Sequence, residues 1–99
     1  MITFDEPSTQ IYNRFRAFDP WPGMFFESAG TTIKAPELSI AHNVRGVAPR
    51  TVLSIDSGVT VATGEGAIVF QSLQRSGKPR ASAGNLARTL GWKVGERIP

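Results

Sequence analysis

Cationic side chains are the functional groups that this sequence concentrates most clearly. Residues 69–99 carry six Lys and Arg residues and one Glu, a net charge of +5, whereas residues 1–68 carry −2. Lys and Arg neutralise phosphates and release bound counterions, so the asymmetry fits a surface that faces a polyanion. A solvated face without a partner fits it as well. The candidate phosphate-binding residues are Arg14, Arg16, Arg75, Lys78 and Arg80, the last three in a basic loop over residues 74–80.

Groups suited to catalysis are sparse. The chain has no Cys and one His, His42, which excludes disulfides, thiolate metal sites, Cys nucleophiles and multi-His metal sites. No Ser lies in a nucleophile elbow, so His42 is interpreted as a loop histidine. The carboxylates are scattered, and the Gly-Glu-Gly of residues 64–66 lacks the Gly-Lys-Ser/Thr of a phosphate loop. We expect no catalytic residue and no metal; a small free-standing enzyme would rest on His42 and the scattered acids alone.

Length and composition limit the class of protein. The chain has 99 residues, of which 40% are hydrophobic and 19% charged, values typical of a globular protein, and we expect a single domain over residues 1–99. The longest aliphatic or aromatic run, residues 67–70, is far shorter than a membrane span. Asp5 and Glu6 stand where a signal peptide would be basic. The sequence therefore predicts a cytoplasmic protein without a membrane partner.

Two helices are expected to frame the chain. In the first, Ser8 or Thr9 can accept a bond from an unpaired backbone N–H, and Ile11, Phe15 and Phe18 share one face. The Asp-Pro pair that follows Phe18 should end it, because the residue before a proline avoids the helical region.

The second helix is predicted from its two ends. Ser82 can cap it, Leu86 and Leu90 share a face, and Gly91 marks its stop. We expect residues 92–98 to add a last short strand.

Short strands with glycine-rich turns fill the region between the helices. Pro36 predicts an edge or a bulge within its strand, and alternation along the strongest strand places Leu73 on the face opposite Ile68 and Phe70. The predicted strands cover residues 24–28, 31–42, 51–55, 59–63 and 67–73. So many short strands, with too few helices for βαβ units, predict a mainly β fold, either a small barrel or a sandwich.

Four segments, taken in order, resemble the C-terminal domain of methionyl-tRNA formyltransferases. The first has the Asn, the Arg-Ala pair and the Pro-Gly that precede an aromatic strand, and the second has the Val-Ala-Thr-Gly-acidic-Gly hairpin. A Leu-Gln…Gly-Lys segment and a closing helix with a glycine-containing tail follow. These segments are residues 11–23, residues 61–67, residues 73–78, and the helix around Leu86 with Gly91 and Gly95.

The resemblance implies an open, OB-like barrel of Greek-key topology, with an N-terminal helix and a short C-terminal helix. It also implies a non-catalytic accessory domain whose basic side binds tRNA, and a catalytic formyltransferase domain as its partner. In that family, formyl transfer from 10-formyltetrahydrofolate takes place in an N-terminal doubly wound domain that this sequence lacks. No cofactor is therefore expected in this domain. His42 does not match the family's catalytic histidine, so the resemblance gives it no catalytic role.

A second interpretation keeps the fold and changes the role. Related domains are attached to formyltransferases that act on nucleotide-linked amino sugars, where the domain packs on its catalytic partner and tRNA is not involved. The first helix and the proline-rich turn after it would then form the interface.

Arg50 departs from the family pattern. The family has Pro-Gly-Thr at the entry to a strand, and this sequence has Arg50 in place of that glycine. If a positive φ is needed there, the turn must be built differently, because that conformation is unfavourable for a residue with a side chain. We also expect Arg50 to add an exposed charge.

Overall fold

The computed structural model describes residues 1–18, 23–41 and 46–99. The predicted helix stop at Asp19-Pro20 and the histidine His42 lie outside these residues, as does the side chain of Phe18. Neither helix of the described residues has the length and apolar character needed to cross a membrane.

One antiparallel sheet of six strands, flanked by two helices, makes up the described part of the chain. The elements are α1 Ser8–Phe18, β1 Met24–Ser28, β2 Thr31–Ala41, β3 Val52–Ile55, β4 Val59–Ala62, β5 Ala67–Arg75, β6 Ala81–Ser82 and α2 Ala83–Leu90. The strands follow the order β1-β2-β5-β4-β3, and β6 also pairs with β5. Because β3, β4 and β5 are joined in succession and β2 lies beside β5, these four strands form a Greek key. The predicted mainly β, open barrel-like fold is confirmed.

A cluster of aromatic rings lies at the centre of the core. Phe26 is fully buried, its ring centroid 5.4 Å from those of Phe4 and Phe70 and 6.2 Å from that of Trp92. These residues come from the N-terminal segment, β1, β5 and the segment after α2. The core therefore ties together parts of the chain that are distant in sequence.

The start of α1 is set by a backbone carbonyl. The amides of Gln10 and Ile11 donate to the Pro7 carbonyl at 3.0 and 3.2 Å, so Ser8 is the first helical residue and the predicted Ser8 or Thr9 cap is not formed. Ile11 is fully buried and Phe15 packs against the core, which confirms that part of the predicted face.

The ends of α2 match the prediction. Asn85 donates its N–H to the Ser82 hydroxyl at 3.2 Å, and Gly91 closes the helix at φ 79°. The predicted strand over residues 92–98 is wrong, however. A single bridge between Thr51 and Arg97 forms there, because the chain turns at Gly95, whose φ is 89°.

A bulge in β2 changes the pattern of burial in β5. The register of the two strands shifts on both sides of Glu37, next to Pro36, which confirms the predicted bulge. Leu73, which alternation placed on the face opposite Phe70, is fully buried with the core. A bulge bends the ladder and redirects side chains, and this one lies across from the end of β5 where simple alternation is lost.

A basic turn and the family of the chain

The turn between β5 and β6, residues 76–80, is held by hydrogen bonds at both of its ends. Lys78 donates its N–H to the Arg75 carbonyl at 3.0 Å, and the Gln74 amide nitrogen donates to the Lys78 carbonyl at 2.8 Å. Ser76 donates to the Thr32 carbonyl at 3.2 Å, which fastens the turn to β2. We call residues 76–80, together with Arg75, the basic turn.

Three of the predicted cations meet at the basic turn, and the structure adds a fourth. Lys78 and Arg80 are exposed and Arg75 is half-buried. Lys34, on β2, is exposed and lies in register with Gln74, so the two share a sheet face beside the turn. Lys34 lies far away in the sequence, and no local pattern could have found it; the β2–β5 register was needed.

The cations surround the end of β5 and do not cover one flat face. Arg75 lies in register with the buried Ile33, so it shares the inward side of the sheet. Gln74 and Lys34 occupy the opposite side, since successive strand residues alternate between faces. A ligand of the basic turn would therefore contact the rim of the sheet.

Arg80 is paired with an acid in the free protein. Its Nη1 lies 3.4 Å from Glu37 Oε1, and both side chains are 56% exposed. Ser72 donates its hydroxyl to the same Glu37 oxygen at 3.2 Å. An exposed pair of this kind contributes only about 0–1 kcal/mol, so a phosphate can replace Glu37 at small cost.

Arg14 holds a tighter pair with Glu6. Its two terminal nitrogens donate to the two carboxylate oxygens at 2.7 and 2.9 Å. This hydrogen-bonded guanidinium lowers the pKa of Glu6, although partial burial opposes it, and Glu6 in turn raises the pKa of Arg14. Arg14 would have to break this bidentate ion pair with Glu6 to bind a phosphate.

Arg14 and the basic turn lie at opposite ends of β5. The Glu6 carbonyl accepts a bond from the Gly64 amide at 3.1 Å, in the turn that precedes β5, and the basic turn follows it. The nine residues of β5 span roughly 26 Å. Arg16 is exposed in the last turn of α1. The predicted cations thus divide into a cluster at the basic turn and a separate helical pair.

The fold and its surface define a small open β domain that bears cations at one sheet end. The family model described as "Formyl transferase, C-terminal domain" matches residues 1–91. The chain therefore belongs to the family of formyl transferase C-terminal domains, as its sequence indicated.

Curated relatives agree with this assignment. The methionyl-tRNA formyltransferase of Symbiobacterium thermophilum is 33% identical over 101 residues, which cover 99% of this chain and 31% of the relative. That of Sphingopyxis alaskensis is 36% identical over 100 residues, covering 98% of this chain and 32% of the relative. The chain spans about a third of the length of these relatives.

Solved structures support the fold. The crystal structure of HypX from Aquifex aeolicus in complex with tetrahydrofolic acid matches with a TM-score of 0.71 at 16% identity, covering 99% of this chain and 20% of that one. A HypX variant matches with a TM-score of 0.72 at 13% identity, covering 94% of this chain and 17% of the variant. At such identities the likeness concerns the fold alone.

Proposed function

We propose that this chain is a non-catalytic accessory domain of a methionyl-tRNA formyltransferase-type enzyme, and that it binds the phosphate backbone of tRNA through the basic turn. The observation that carries the proposal is the set of cations around the end of β5: Lys34, Arg75, Lys78 and Arg80. Membership of the family, and relatives with that enzyme name, support the choice of polyanion.

The charges at the basic turn are available to a ligand. In the described part of the chain no carboxylate pairs with Lys34, Arg75 or Lys78, and the partner of Arg80 is exposed. Phosphate contacts from such side chains position a nucleic acid and carry little sequence information. The domain would therefore strengthen tRNA binding as a whole and leave recognition of individual bases to other parts of an enzyme.

The chemistry of formyl transfer is assigned to another domain. We propose that 10-formyltetrahydrofolate binds to a catalytic formyltransferase domain, and that this chain supplies no group to the reaction. The chain spans about a third of its curated relatives, which leaves room for such a domain in proteins of that length. A cytoplasmic location follows from the proposed substrate.

Single-charge variants test the basic turn against the rest of the surface. Lys78→Ala and Lys34→Ala should each weaken binding to unfractionated tRNA at moderate salt by roughly two- to tenfold, because each removes one phosphate contact. Lys93→Ala is the matched control, since Lys93 is also exposed and lies after α2, outside the basic turn. Fluorescence anisotropy with labelled tRNA measures all three affinities.

Equal losses in the three variants would show that binding is diffuse and would contradict a site at the basic turn. Absence of tRNA binding even at low salt would contradict the proposal altogether. That second result would favour the packing role in a formyltransferase that acts on a nucleotide-linked amino sugar.

A further inference from the structure

Arg50 adopts a backbone conformation that favours glycine. Its φ is 76°, so the turn keeps the positive φ of a glycine, and the expectation of a differently built turn is wrong. The Arg50 N–H donates to the Ala62 carbonyl at 2.8 Å, and its carbonyl accepts from the Ile98 amide at 2.9 Å. A residue with a side chain persists in this region only where its surroundings hold it there.

The contacts of the Arg50 guanidinium explain why the backbone of this residue keeps a positive φ. Its Nε donates to the Ile98 carbonyl and its Nη2 to the Pro99 carbonyl, both at 2.8 Å, and Nη2 also donates to the Glu27 carbonyl. Glu27 belongs to β1, and Arg50 leads into β3; these are the first and last strands in the order of the sheet. The Arg50 side chain therefore connects the two outer strands to each other and to residues 98 and 99.

Arg50 also covers the aromatic cluster. Its Cζ lies 5.0 Å from the centroid of Phe4 and 6.0 Å from that of Phe26. A guanidinium over the face of a ring is favourable, more so when it is partly removed from water. This burial, with the nearby charge of Arg97, lowers the pKa of Arg50. Arg50 is half-buried, so the prediction of an exposed charge is wrong.

The segment of residues 92–99 is tied to the sheet by a short series of backbone bonds. Val52 donates its N–H to the Glu96 carbonyl at 2.8 Å, and Gly95 donates to the Val52 carbonyl at 2.8 Å. With the bond from Ile98 to Arg50, these contacts run along the outer edge of β3 and its entry. They hold the segment to β3, while Arg50 connects it to β1.

We propose that Arg50 is a latch that fixes the 92–99 segment across the gap between β1 and β3, and that the segment opens as one unit when the latch is released. Opening would withdraw Trp92 and Ile98 from the core, uncover the rings of Phe4 and Phe26, and leave the edge of β3 unpaired. This conformational device acts independently of tRNA contacts, so it goes beyond the proposed function.

Native-state hydrogen exchange of the whole chain, followed by NMR, tests the latch. In the wild-type protein the amides of Val52, Gly95 and Ile98 should share one opening free energy and one denaturant dependence, below those of the amides that pair β4 with β5. Arg50→Gly keeps the backbone conformation and removes the guanidinium. The three amides should then exchange together, roughly tenfold faster or more, the scale set by loss of charge-assisted hydrogen bonds.

Ala29→Gly is the matched control. Ala29 is the other non-glycine residue with a positive φ among the described residues, at 50°, so this variant also gives a left-handed position back to glycine. It should leave the exchange of the 92–99 segment unchanged. Unaltered protection in Arg50→Gly would overturn the proposal. If that variant does not fold, the wild-type data still decide, because three unrelated opening free energies would exclude a single opening unit.

Discussion

Paired charges at Glu6 and Arg14 fasten the N-terminal segment to α1. The segment contributes Ile2 and Phe4 to the core, and Glu6 lies 23% exposed against a guanidinium that is 40% exposed. A carboxylate that accepts two hydrogen bonds from one Arg guanidinium is stabilised in its ionised form, which is why the pKa of Glu6 is lowered. The ion pair therefore links stability to pH.

Glu6→Gln should lower the free energy of unfolding at neutral pH. Because the folded-state pKa of Glu6 is below its ordinary value, the contribution of the pair is complete above the unfolded-state pKa and is lost as the pH falls through the lower, folded-state pKa. Urea unfolding at a series of pH values measures the difference between wild type and variant. The difference should vanish in acid; a constant or growing difference would contradict the assigned role of the pair.

Arg50 shows how far one residue can depart from a family pattern without changing the turn. Its sequence position indicated a lost glycine, and the positive φ is retained because three backbone carbonyls and two aromatic rings hold the side chain. Those partners come from β1, the N-terminal segment and residues 98–99. Local sequence cannot reveal contacts of that range.

The helix α2 depends on a close approach at Gly84. A Cβ at this position would lie 1.7 Å from the Asp56 carbonyl oxygen, so the helix packs directly on the β3–β4 turn. The Gly84 N–H also donates to the Ser57 carbonyl at 2.9 Å. A side chain here must push the helix away from the sheet.

Gly84→Ala should therefore destabilise the domain by about 1–3 kcal/mol or more, in spite of the higher helix propensity of alanine. In a domain of this size each kcal/mol shifts the Tm by about 4–8 °C. Thermal unfolding followed by circular dichroism measures the shift. Asn85→Ala, at the exposed neighbouring position, should change the Tm little. A Tm for Gly84→Ala equal to or above that of the wild type would show that the helix tolerates a side chain at this close approach.

Elements with strong local signals could be predicted from the sequence. The aromatic run of β1, the Pro36 bulge in β2 and both ends of α2 follow from side-chain and backbone preferences that act over a few residues. The burial of Leu73 and the irregular path of residues 92–98 could not be predicted, because a bulge on another strand and bonds to β3 decide them.

The topology of the sheet determines which charged residues lie close together in the molecule. The Greek-key connection brings β2 beside β5, and this places Lys34 next to a turn that lies some forty residues further along the chain. The same topology separates Arg14 from Lys78 by the length of β5. Composition alone indicated a basic C-terminal part; the sheet register shows that Lys34, from the acidic N-terminal part, lies beside the cations of that basic part.

The salt dependence of tRNA affinity tests the central claim most directly. If Lys34 and the three cations of the basic turn all contact the phosphate backbone, log K should fall linearly with log salt with a slope of about −3 to −4, since each contact releases roughly 0.7–0.9 counterion. Anisotropy titrations of the wild-type chain between low and moderate salt measure this slope. A slope near zero, or affinity that is unchanged by salt, would contradict a surface that binds phosphates.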